Sequence, residues 1–161
     1  MQTLISVPRR LLRIFASTPR RSFFLYPVLV IAFEIARRGG PEIPMPYLLP
    51  LLLWGYLEYR LTGRYRRRYR AGSLAFGEVP QRLLQDGPFR FSRNPMYLGH
   101  LIFTLGIALV FMSWLGAAIF LTTAIWFHRR VLEDEVMLRA RFGAEYEDYC
   151  SRVKRWVPFL L

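Results

Sequence analysis

Between Met96 and Phe127 the chain carries no Asp, Glu, Lys or Arg. Drawn as one straight helix at 1.5 Å per residue, that run would be ~48 Å long, well beyond the ~30 Å hydrocarbon core of a bilayer. It must tilt strongly or turn back, and Ser113-Trp114-Leu115-Gly116 offers the turn. The pattern predicts a helical hairpin, Met96 to Met112 and Leu115 to His128. Two shorter apolar runs precede it. Ser22 to Ala36 contains Pro27 and Glu34; Met45 to Tyr59 has Pro46 and Pro50 near its start and Glu58 near its end. Arg37-Arg38-Gly39-Gly40-Pro41 divides them as a turn. Each run falls short of the ~20 residues that usually cross a bilayer, so it must borrow flanking residues or meet a locally thinned membrane.

Charge sharpens this reading. Lys and Arg number 23 against 11 Asp and Glu, a net charge of +12, while 53% of the residues are hydrophobic. Apolar spans between basic cytoplasmic loops account for both properties. A nucleic-acid binder accounts for the charge alone and leaves the long apolar runs unexplained, so no nucleic-acid partner is expected. The sole cysteine, Cys150, rules out an intrachain disulfide and a thiolate metal site. Arg9, Arg10 and Arg13 interrupt the N-terminus before any long apolar region, unlike a signal peptide. Leu4, Ile5, Leu11, Leu12 and Phe15 share one helical face there, which suits a segment lying on the membrane surface.

The basic segments are the N-terminus, Arg60 to Arg93 and the tail after His128. Four spans place all three on the cytoplasmic side, with only Arg37 and Arg38 opposed. The expected fold is all-α: an integral membrane bundle of about four spans, with a C-terminal helical hairpin and a cytoplasmic amphipathic helix. That helix covers the charged segment Arg129 to Tyr149, with Gly143 interrupting or capping it. The expected location is a bacterial inner membrane.

Two stretches hold chemistry. Gly87-Pro88-Phe89-Arg90-Phe91-Ser92-Arg93-Asn94-Pro95-Met96-Tyr97-Leu98-Gly99 lies where the basic loop enters the third span. Prolines stiffen it, and Gly87 and Gly99 permit close approach of a ligand. By composition it also reads as an interfacial belt of Arg, Phe and Tyr. The second stretch begins Arg130-Val131-Leu132-Glu133-Asp134-Glu135 and continues through Leu138, Phe142-Gly143, Tyr146, Tyr149, Val153, Arg155 and Pro158. Its acids can equally pair with arginines along a solvated helix face, Glu135 and Arg139 standing at i,i+4.

Together the two stretches resemble the isoprenylcysteine carboxyl methyltransferases and the related phospholipid methyltransferases. Their pattern runs G-P-Y-R-Y-x-R-H-P-x-Y-x-G, an apolar hairpin, then E-E-x-x-L-x-x-x-F-G-x-x-Y-x-x-Y-x-x-x-V-x-R-x-x-P. The resemblance spans Pro80 to Pro158 without a gap in its second half, and departs at Asn94, where the family has His, and at Asp134, where it has Glu. It divides the single membrane domain, 1–161, into an interfacial segment 1–21, two spans and a basic loop over 22–79, and a cofactor-binding half over 80–161.

The resemblance implies an enzyme that uses S-adenosylmethionine, with its site facing the cytoplasm. The cofactor would run along Gln81, Arg82, Leu83 and Leu84, with Phe89 and the segment Asn94, Pro95, Met96 and Tyr97, beside Gly99, completing the pocket. Asp134 or Glu135 would take the cofactor's ammonium, Arg93 or backbone N–H groups its carboxylate, and the faces of Tyr97 and Tyr146 its sulfonium. Arg130, one turn before Asp134, would lie toward the acceptor, a lipophilic or small molecule such as an isoprenylcysteine carboxylate, a lipid amine or a thiol. Membrane lipid is the other expected partner. His100 and His128, near the ends of the hairpin arms, could face each other and the site, and His100 is a candidate for deprotonating a nucleophile. Glu34 and Glu58 lie in apolar runs, where carboxylates are functional suspects; Glu58 is close enough to a span end to be a structural partner for a nearby arginine instead. Two alternatives share the C-terminal pattern: an NADPH-dependent sterol-type reductase, where asparagine commonly stands at the place of Met96, and a non-catalytic membrane protein retaining the fold.

Overall fold

The computed structural model describes residues 17–69 and 81–157. All regular structure among them is helical. A turn at Thr18–Arg20 passes through a π turn, Arg21–Leu25, directly into α1, Tyr26–Arg38. A short 3-10 turn, Pro46–Leu48, starts α2, Leu49–Arg68. Then follow α3, Pro95–Val110, α4, Trp114–Phe142, and α5, Ala144–Arg152. Of the expected surface segment at the N-terminus, residues 1–16 lie outside the described residues.

The predicted hairpin is present as α3 and α4. Its turn falls slightly earlier than expected, at Phe111–Ser113, because Met112 takes a positive φ of 46° and Ser113 caps α4 by accepting from Gly116 N–H at 3.2 Å. Gly143, with φ 51°, separates α4 from α5 as the sequence suggested. Two expected boundaries are corrected. The helix α2, begun at Leu49, continues through the arginine-rich stretch to Arg68, and the second hairpin arm runs on past His128 to Phe142. Arginine is a good helix former, so a change from apolar to charged residues marks a change of surroundings and does not end a helix. The acids Asp134 and Glu135 are thereby carried on the same rigid rod as the hairpin.

Among the described residues no helix is long and apolar enough to cross a membrane. The cause is local: α3 carries no charged residue but has 16 residues, ~24 Å at 1.5 Å each, while α2 and α4 are longer and carry arginines in their C-terminal halves.

Backbone contact sets the spacing of α2 and α3. A methyl group at Gly99 would come within 2.7 Å of the Gly55 carbonyl oxygen, and one at Gly55 within 2.5 Å of the Phe103 nitrogen. Small residues let the two backbones touch. Around this crossing Phe23 of the π turn packs on Tyr56, Tyr59, His100 and Phe103, with ring centroids 4.7–5.4 Å apart. At the other end of the bundle, buried Glu34 accepts from Arg37 at 2.6 Å and Arg38 at 2.8 Å, and Arg38 also donates to the Phe111 carbonyl at 2.7 Å. The two arginines that oppose the charge rule are thus tied to a carboxylate, and Arg38 holds α1 to the hairpin turn.

Candidate functional site

The loop over 81–94 is held in place chiefly by the chain's last described turns. Leu83 enters a core with Tyr146, Tyr149 and Val153. The Tyr149 hydroxyl donates to the Phe89 carbonyl at 2.6 Å. Gln85 donates to Glu145 at 3.0 Å and accepts from Arg152 at 2.8 Å. Arg93 N–H donates to the Lys154 carbonyl at 3.0 Å, and the Arg155 carbonyl accepts from Asn94 Nδ2 at 3.1 Å and Ser92 Oγ at 3.3 Å. Gly87, with φ 59°, lies so close to Tyr65 that a methyl group there would meet its ring at 2.6 Å; that tie reaches α2.

Glu135 sits beneath this clamp, 2% exposed. Arg155 grips both of its oxygens, at 2.8 and 2.9 Å; Arg93 stands at 3.1 Å and Arg139 at 3.6 Å. Burial pushes the Glu135 carboxyl up, but the Arg155 hydrogen bonds and the charges of Arg93, Arg155 and Arg139 outweigh it and hold the group below its ordinary value. Arg93 also donates to Cys150 Sγ at 2.6 Å.

Asp134 has different surroundings. It is half-buried, accepts from the Tyr97 hydroxyl at 3.1 Å and pairs with Arg130 at 3.2 Å. Burial raises its carboxyl above the ordinary value, and the Arg130 charge and Tyr97 hydrogen bond offset this only in part. A carboxylate in that condition is one that a further cation stabilises. Arg130 also donates to Glu133 at 3.0 Å, so its fork is shared between two acids on its own helix.

Of the residues singled out from sequence, Tyr97, Arg130 and Asp134 converge, and Arg93, Asn94 and Phe89 lie in the clamped loop beside them. Gln81 and Arg82 are exposed, Leu84 and Met96 half-buried, and Pro95 buried. Gly99 lies against α2, with Gly55 and Tyr59 backbone as its near neighbours. Tyr146 is 1% exposed within the core, with Arg139 5.8 Å over its ring. His100 is buried and stacks on Phe23 at 4.7 Å, whereas His128 is exposed and lies against Trp156 at 6.5 Å. Sequence reasoning did not single out Arg66 of α2, whose charge reaches Asp134, nor Phe127, stacked on Tyr97 at 4.7 Å and tilted against His100 at 5.4 Å. Arg66 is one of six arginines between Arg60 and Arg70; its position one turn after inward-facing Thr62 is the signal that distinguishes it.

A family model described as phospholipid methyltransferase matches residues 51–145. A rice protein named "Probable protein-S-isoprenylcysteine O-methyltransferase" (Oryza sativa subsp. indica) is 34% identical over 85 residues, covering 52% of this chain and 44% of that protein. Protein-S-isoprenylcysteine O-methyltransferase B of Arabidopsis thaliana is 31% identical over 85 residues, covering 52% and 43%. The Schizosaccharomyces pombe protein-S-isoprenylcysteine O-methyltransferase is 29% identical over 80 residues, covering 48% and 34%. The chain thus matches less than half the length of each of these relatives.

Proposed function

Because the chain belongs to the phospholipid methyltransferase family, we propose that it is an S-adenosylmethionine-dependent methyltransferase working at a membrane on an acceptor with an apolar body. The observation that carries this reading is Asp134: a half-buried carboxylate raised by desolvation, placed against Tyr97 on the helix that continues the hairpin. Such a group suits the cofactor's ammonium. Arg93, whose Nε is buried without a hydrogen-bond partner among the described residues, suits its carboxylate. The face of Tyr97 suits a sulfonium, at ~0.5–2 kcal/mol of cation–π attraction.

When bound, S-adenosylmethionine supplies a methyl group on a sulfonium centre. The chain's task is to orient the two reactants and exclude water, which contributes more to such a transfer than acid–base chemistry does. In this reading the loop Gln81 to Leu84, Phe89 and the segment Asn94 to Tyr97 line the cofactor, and the buried Glu135 network holds that loop in register. Arg130 balances Asp134 and faces the acceptor side.

A membrane setting is supported by the outer surface. Phe24, Val28, Leu53, Trp54, Leu121 and Ile125 all point outward, and apolar surface on this scale marks contact with lipid or protein. The arginine-rich C-terminal half of α2 and the charged end of α4 favour a cytoplasmic site. An apolar-bodied acceptor is consistent with relatives named for isoprenylcysteine.

Calorimetry on the purified protein in detergent, titrated with S-adenosylmethionine and separately with NADPH, tests the reading. Binding of the first alone is expected. Binding of NADPH alone would replace it with the reductase alternative, and binding of neither with a non-catalytic role. A mass-spectrometric search for products heavier by ~14 Da, the mass of one added CH2 unit, would identify the acceptor.

A further inference from the structure

The charged edges of the bundle recur at one spacing. Arg21 of the π turn and Arg37 of α1 stand sixteen positions apart, with Glu34 the only charged residue between them. Helix α3 has 16 residues and no charge. Exposed Arg129 follows the Ser113 cap of α4 by sixteen positions. At 1.5 Å per residue each of these lengths is ~24 Å, and any tilt shortens the span across a membrane. On α2 the outward stripe of Leu49, Leu53 and Leu57 becomes Arg60, Arg64 and Arg67 without leaving that face of the helix. Beyond Arg129, exposed Leu132 and Val136 are mixed with exposed Glu133, a surface suited to headgroups and not to acyl chains. Arginine side chains that reach outward would lengthen such a band. Here they turn the other way. Arg37 and Arg38 reach back one turn to Glu34, at 2.6 and 2.8 Å. Arg60 lies 6.0 Å over the ring of Tyr56, one turn nearer the middle of the apolar stretch. Arg21 lies 5.7 Å over Trp126, inside the apolar half of α4.

We propose that this surface is fitted to a bilayer with a hydrocarbon core ~20–24 Å deep, against the ordinary ~30 Å, and that the protein selects phospholipids of short acyl chain as its neighbours. The inference rests on the membrane setting proposed above and goes beyond it, from contact with lipid to the class of lipid. Exposed apolar side chains occur on every helix of the bundle: Phe24 and Val28 lead into and lie on α1, with Leu53 on α2, Leu109 on α3 and Leu121 on α4. A lipid annulus covers all four, whereas a protein partner would cover one side. Exposed Trp114 and Trp126 lie towards the two rims of α4, twelve positions apart, ~18 Å along the helix, and tryptophan prefers the boundary between headgroup and hydrocarbon. Longer acyl chains would set methylene groups against Arg60, Arg64 and Arg129, and a charge in hydrocarbon is costly. The bundle cannot stretch to meet them. Backbone contact at Gly55 and Gly99 fixes α2 against α3, and the Arg38 bond to the Phe111 carbonyl fixes α1 against the hairpin turn. The lipid must therefore adapt, by local thinning or by exchange for shorter chains.

Exposed Trp54, Trp114 and Trp126 report the adjoining lipid by fluorescence. The purified chain is reconstituted in vesicles of brominated dioleoylphosphatidylcholine, a quencher, mixed with unbrominated dimyristoleoyl- or dierucoylphosphatidylcholine. All three share one headgroup and differ in chain length. Dimyristoleoyl chains are expected to displace the quencher roughly twofold better than dierucoyl chains, from the cost of mismatch. Arg60→Leu combined with Arg64→Leu extends the outward apolar stripe of α2 by about two turns and is expected to lessen that preference. An unfolding midpoint in detergent near wild type confirms that this variant folds; if it does not, Arg129→Leu alone makes the same test on α4. Equal displacement by the two lipids, or better displacement by dierucoyl chains, overturns the inference, while flotation of the protein with the vesicles leaves the membrane setting standing. A preference undiminished in the folded variant overturns it too. Vesicles that carry the protein but quench none of its fluorescence mean that protein covers these faces, which also overturns it. Failure to float with vesicles of any of these lipids overturns the membrane setting beneath it.

Discussion

Glu135 and Arg155 stand twenty positions apart and meet in a two-pronged ion pair, Nε to Oε1 at 2.8 Å and Nη2 to Oε2 at 2.9 Å. Neighbouring acids on one helix turn therefore have different work. Glu135 fastens the tail and, through Arg93, the loop over 81–94. Asp134 stays half-buried about 100° around the helix, toward Tyr97.

Glu135→Gln is expected to destabilise the fold by about 3–5 kcal/mol, the cost of leaving buried charges without their partner. Thermal unfolding in detergent would measure it, and an unchanged midpoint would remove the network from the fold's support. The pH dependence has a definite sign. The folded-state Glu135 carboxyl lies below its ordinary value, so its contribution is complete above the unfolded value, ~4.3, and is lost as pH falls through the lower folded value. The wild type should lose stability on acidification below pH ~4 more steeply than Glu135→Gln does.

Asp134→Asn should leave the unfolding midpoint near wild type and weaken S-adenosylmethionine binding by at least about tenfold, since a charge-assisted bond contributes ~1.5–3 kcal/mol. Tyr97→Phe should weaken it several-fold, by the ~1 kcal/mol of one hydrogen bond. Equal affinity in Asp134→Asn would move the ammonium contact elsewhere. Arg130→Ala should spare that affinity and lower turnover. If Arg130 serves only to anchor α4 to lipid phosphates, Arg130→Lys will match wild type, because a point charge then suffices.

Gly99→Val should fail to assemble the bundle or unfold at a much lower temperature. Its first added carbon would lie 2.7 Å from the backbone of Gly55 and of Tyr59, atoms that cannot rotate away. Overpacking of this kind costs ~1–3 kcal/mol or more. Gly143→Ala, where nothing lies within 4 Å but φ is 51°, should show a smaller loss arising from backbone strain alone. Comparison of the two midpoints separates contact from conformation.

Membrane topology is testable by cysteine labelling in a Cys150→Ser background. Gly40→Cys and Gln81→Cys should react with an impermeant reagent from opposite faces. Reaction of both from one face would overturn the four-span arrangement.

Much of this was legible in the residues themselves. The charge-free run from Met96 to Phe127 required a hairpin because a straight helix of that length fits no bilayer, and Gly143 marked the break after α4 because glycine alone adopts its backbone without strain. The motif from Gly87 to Gly99 and the acids at 134 and 135 marked two stretches that the fold brings together at Tyr97–Asp134 and Arg93–Glu135, because their spacing is local and survives without knowledge of the fold. Tertiary structure decided what spacing along one chain cannot express. Which of two adjacent acids is buried depends on Arg155, twenty residues on, folding back to meet it. That His100 is buried depends on Phe23, Tyr59 and Phe127, from three other elements, which pack around it. Periodicity reports which face of a helix is apolar; burial and pairing are properties of the neighbours, and those are chosen by the packing.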